Sequence, residues 1–220
     1  MIKNVLKFLA ALLLVPCVIS ISMAFWDELH NIQRMTSGYS YILYGAAAYI
    51  ICFILSFRMD YLYVFGHEVT HSIAVWLFGG KVKSFKVSNE RGSVVADRSN
   101  IVISLLPYVL PMAAILVSLL YFLTALFYES KLLFEIFMFL IGFSFSMHIL
   151  LTLDRARVSQ TDFLHLGHLG SVLFIYVANL ILVSLIFSFI FNGLSFKGFL
   201  VSFSGSTKGI YINLFRQLFV

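Results

Sequence analysis

The chain has 220 residues, of which 61% are hydrophobic and 11% charged, with a formal net charge of +5. A soluble globular domain is nearer half apolar and a quarter charged, so this composition leaves too little polar surface to cover a water-soluble sphere. The basic residues sit mostly in loops and at the two chain ends, with no basic tract or aromatic stacking platform. That argues against nucleic acid as a partner and suits charge beside a lipid bilayer.

Six apolar segments follow, approximately over 5–25, 39–57, 60–78, 101–127, 132–153 and 163–192. Apolar runs of about 18 residues read as membrane spans, and these do not alternate as the strands of a β-barrel do. The expected fold is an all-α polytopic membrane protein of about six transmembrane helices, a single membrane domain over 1–220. The first segment, preceded by Lys3 and Lys7, reads as a retained helix rather than a removed signal peptide, because Pro16 directly precedes Cys17 and no small-x-small site follows. Cys17 and Cys52 both lie in apolar runs and read as small hydrophobes without a disulfide. The polar stretch 26–38 is expected at an interface.

The longest polar stretch is 79–100. Gly79-Gly80 stops the preceding helix. Val82, Phe85 and Val87 then partly alternate with Lys83 and Lys86, and Ser93 to Ala96 follow a turn near Arg91-Gly92, which is the pattern of a β-hairpin. In the fourth segment Pro107 and Pro111 remove backbone donors and kink the helix, either to open a path toward a cleft or to serve packing. The tail 193–220 reads as an interfacial segment or a last helix. Lys and Arg in the loops 79–100 and 154–162 put both on one side, cytoplasmic by the positive-inside rule. The same count leaves the N-terminus outside, against Lys3 and Lys7. A small chain with short loops suits a bacterial inner membrane.

The third segment carries the chemistry, His67-Glu68-Val69-Thr70-His71. On a helix, residues i and i+4 share a face, so both imidazoles can reach one metal ion. Glu68 stands beside the first ligand, where its carboxylate can take and return the proton of an activated water. Ionisable groups in an apolar helix are costly and functional by default. Zinc needs a third protein ligand with a fourth position open. Asp162, at the start of the sixth segment, is the first choice, with His165 and His148 as rivals. His148 and His168 also suit hydrogen bonds to neighbouring carbonyls, and Asp154 beside Arg155 reads as a surface ion pair.

Three pieces in order give the chain a family likeness: the His67–His71 motif in a hydrophobic helix, Gly79-Gly80 leading into a Val/Phe-rich hairpin with Gly92, and Asp162 at a later membrane helix. Over roughly 60–175 it resembles the site-2-protease-like intramembrane zinc metalloproteases, as a divergent, short member. The resemblance implies a Zn²⁺ cofactor on His67, His71 and Asp162, with Glu68 as catalytic acid and base. It also implies membrane-protein substrates. Asp162 is followed by Phe163 where the family commonly has glycine, and the 79–100 loop is too short for an inserted PDZ-like or CBS-like domain. Hairpin pairing with an unwound substrate, through an edge that includes Phe85, is a further expectation. The competing reading is a membrane metal-binding protein without protease activity, as a carrier, an assembly factor or a pseudoprotease.

Overall fold

The computed structural model describes residues 2–32, 34–35, 39–88, 91–157 and 161–219. In chain order the elements are α1 (Ile2–His30), β1 (Arg34–Met35), α2 (Ser40–Ile54), α3 (Asp60–Leu77), β2 (Val82–Val87), β3 (Gly92–Ala96), α4 (Ile101–Leu105), α5 (Met112–Ala125), α6 (Lys131–Ala156), α7 (Gly167–Ile190), β4 (Phe191–Asn192) and α8 (Phe196–Phe219). Two 3-10 turns, Leu106–Tyr108 and Thr161–Leu164, precede α5 and α7. The chain forms two compact units, one of Ser37–His165 and one of the two chain ends.

Among the described residues three helices, within α1, α6 and α7, are long and apolar enough to cross a membrane, and α4 with α5 passes the same test as a pair bent by 70°. This is fewer than the six spans expected. The 15-residue α2 is short for a span, and α3 is diluted by Asp60, His67, Glu68 and His71. Large apolar side chains stay exposed along these helices, among them Leu6, Leu13, Leu120, Phe122 and Leu132. Exposed apolar surface on this scale needs a covering medium or partner.

In the unit of the chain ends, α1 packs on α7 and α8 around Ile21, Ala24 and Phe199. The stretch 26–38 was expected as a polar connection. Instead α1 runs on to His30, because no glycine or proline interrupts Trp26 to His30. Four residues of that stretch, 33 and 36–38, lie outside the described residues. The tail is α8, so the helical option holds there.

In the central unit, α2 and α6 meet backbone to backbone. A Cβ added at Gly45 would lie 1.9 Å from the Phe139 carbonyl oxygen, and one at Gly142 would lie 2.0 Å from that of Ile42. Only glycine permits this approach, as at close helix crossings in membranes. Tyr49, Tyr63, Val64, Met147 and Leu151 form the core that joins this pair to α3. The hairpin of β2 and β3 is antiparallel, pairing Phe85 with Val94 and Val87 with Gly92. Residues 89–90 of its turn lie outside the described residues.

Candidate metal centre

His67 and His71 lie one turn apart on α3, with ring centroids 4.9 Å apart. Asp162 reaches them from the 3-10 turn Thr161–Leu164, which is anchored by the buried Phe163. Asp162 Oδ2 is 3.6 Å from His67 Nε2 and 3.4 Å from His71 Nε2. The ligand atoms of the three residues all lie within 4.8 Å of one another, the one such group of three His, Cys, Asp or Glu among the described residues. Bonds of about 2.0–2.2 Å to a tetrahedral metal put neighbouring ligand atoms roughly 3.3–3.6 Å apart. The two Asp162 distances match that edge, so these residues can hold a metal ion.

The surrounding backbone prepares the ligands. His71 Nδ1 is 2.8 Å from the Ile103 carbonyl oxygen. As the donor there, Nδ1 leaves the Nε2 lone pair free for a metal. The carbonyl is available because the residue four positions on, Pro107, has no N–H to claim it. Asn100 caps α4, its side-chain oxygen accepting from the Ile103 N–H at 2.8 Å, and so fixes that carbonyl's position. The Tyr108 hydroxyl donates to Asp162 Oδ2 at 2.9 Å, and the Tyr108 ring stands edge-on to His67 with centroids 4.7 Å apart. Burial alone would raise the Asp162 carboxyl. The two imidazoles beside it more than offset that and hold it well below the usual carboxylate range, ionised as a ligand must be.

Glu68 is buried at 6% exposure. A Cβ added at Gly92 would fall 2.4 Å from both Glu68 Cγ and Oε1, so β3 crosses directly against the carboxylate and any larger residue there would displace it. His67, Glu68, His71, Tyr108 and Asp162 line one cleft of about 950 Å³, with β3 along it. That volume is at the upper end of the roughly 300–1,000 Å³ usual for binding sites. Arg58, Asp60, Asp154 and Arg155 also line the cleft.

The rivals for the third ligand do not join this group. His165 Nε2 is 3.1 Å from the Ser99 hydroxyl. His148 is buried within α6, and His168 is on α7; neither belongs to the group of three. Two expectations are corrected. Asp162 does not start the sixth helix, because α7 begins at Gly167 and the aspartate sits in the preceding 3-10 turn. Asp154 and Arg155 do not pair with each other, since adjacent helical residues diverge. Asp154 takes Arg58 instead, and Arg155 takes Asp60 at 3.0 Å.

Sequence reasoning missed Tyr108, the Ile103 carbonyl and the contact of Gly92 with Glu68. The signal for the carbonyl was present, since a proline marks a freed acceptor four residues before it. No family model, curated protein or solved structure matches this chain.

Proposed function

We propose that this chain is a zinc-dependent intramembrane endopeptidase, with His67, His71 and Asp162 as ligands and Glu68 as general base and acid. The observation that carries the reading is the tetrahedral-edge spacing of Asp162 Oδ2 from both histidine Nε2 atoms, beside a buried glutamate in a cleft large enough for a peptide. Two imidazoles and a carboxylate that leave one position open are the donor set of catalytic zinc. Bound there, zinc supplies Lewis acidity for the scissile carbonyl and lowers the pKa of water to about 7.

The protein's own groups do the rest. Glu68 accepts a proton from the attacking water and delivers it to the leaving amine as the C–N bond breaks. Tyr108 and the Ile103 carbonyl hold Asp162 and His71 in orientation. A membrane helix has its amides already bonded, so the substrate unwinds before cleavage. The strand beside the cleft is β3, whereas the Phe85 ring of β2 packs on Phe65 with centroids 6.1 Å apart. Strand addition is therefore assigned to β3, the strand that lines the cleft. The long apolar helices support an integral membrane protein, and the Lys and Arg of the loops favour a cleft nearer the cytoplasmic side, in a bacterial inner membrane.

The test is cleavage of a reporter with a single membrane-spanning helix, co-reconstituted in lipid vesicles. Glu68→Gln is expected to keep its zinc and lose at least about 100-fold in rate. Equal cleavage by wild type and Glu68→Gln would remove the protease reading and favour a membrane metal carrier, for which a general base is dispensable.

A further inference from the structure

The two metal-facing histidines are supported differently. His71 has a protein acceptor for its outer nitrogen, the Ile103 carbonyl. His67 Nδ1 is buried and has no partner among the described residues. The same holds for a second buried imidazole nitrogen, His148 Nε2, on α6. Both histidines line one small cavity of about 20 Å³, together with Tyr63, Gly66, Pro107, Leu110, Met112, Ala113 and others. A buried water needs roughly 10–15 Å³ of such space and two to four polar partners. The cavity has the volume for one water and for nothing larger.

The tautomers are complementary. A ligand binding through Nε2 carries its proton on Nδ1, so His67 presents a donor to the cavity. The His148 ring lies against the backbone of Tyr108 and Val109, toward which an Nδ1–H would donate. Its Nε2 is then an acceptor. Pro107 supplies a third partner. Its carbonyl has no helical donor because the residue four positions on is Pro111. A single water here would accept from His67 Nδ1–H and donate to His148 Nε2, with the Pro107 carbonyl as a further acceptor.

We propose that this cavity holds one structural water through which His148 orients His67, so that His148 is a positioning residue of the metal site rather than a ligand. The inference rests on the metal-site reading above, and its test separates the two. The outer partners of a metal-bound histidine are typically worth 10–100-fold in metal affinity. Zinc affinity is measured by chelator competition on purified full-length protein, and His67 tautomers by nitrogen-15 NMR on the metal-free protein. His148→Phe is expected to weaken zinc by about 10–100-fold and to free His67 to exchange between tautomers. His148→Gln, which keeps an acceptor, restores both. Ala113→Leu, which fills the cavity while leaving His148 intact, gives the same loss as His148→Phe and covers the case in which that variant does not fold. Unchanged affinity and an unchanged His67 tautomer in folded His148→Phe or Ala113→Leu overturn the proposal. If wild type binds no zinc, the metal reading falls. The water proposal then stands or falls on whether those two variants release the Nδ1–H tautomer.

Discussion

The two units of the chain use similar helices for different ends. The unit of the chain ends builds α1, α7 and α8 from apolar surface, with a core of Ile21, Ala24 and Phe199. The central unit brings two histidines and an aspartate together, with a glutamate in the same cleft, and borders them with irregular backbone. Three irregular features there each serve a polar group. Pro107 frees a carbonyl for His71, the break after it delivers Tyr108 to Asp162, and Gly92 makes room for Glu68. Buried polar groups are tolerated where partners exist, and breaking a helix is the way to obtain them.

The comparison is broken most sharply at the ligands. His67→Ala and His71→Ala are each expected to weaken zinc by more than about 100-fold, beyond what an outer partner contributes, as read by metal content after dialysis. Next comes Gly92→Val. The new side chain occupies the space of the Glu68 carboxylate, so the reporter-cleavage rate falls by about 100-fold or more while zinc stays bound. Tyr108→Phe removes only the donor to Asp162, and a loss of about 10-fold in zinc affinity is expected by competition titration. At the small end, Phe199→Ala in the other unit lowers stability by about 3 kcal/mol in a chemical or thermal unfolding experiment. It leaves zinc affinity within about 3-fold, since it touches none of the site.

How much was legible in the sequence follows from the range of each interaction. The pairing of His67 with His71 was legible because helical spacing is local, and so was the hairpin, whose signals lie within one stretch of 79–100. Asp162 was reachable through its residue type and the family likeness. Tyr108 was not, because its bond to Asp162 joins residues 54 apart in sequence and a tyrosine in an apolar run looks like lining. Arg58 and Asp60 were missed for the same reason, each finding its partner on α6. Fewer helices than the six expected pass as spans on length and apolarity among the described residues, because α2 is short and α3 carries the polar residues of the cleft.

The most direct test of the central claim is the zinc content and zinc-edge X-ray absorption spectrum of the detergent-purified protein, for wild type and Asp162→Ala. Three-ligand binding predicts about one zinc per chain with two imidazoles and oxygen in its shell, and loss or marked weakening of that zinc in Asp162→Ala. Well-folded wild type without zinc, or zinc held unchanged by Asp162→Ala, would contradict it.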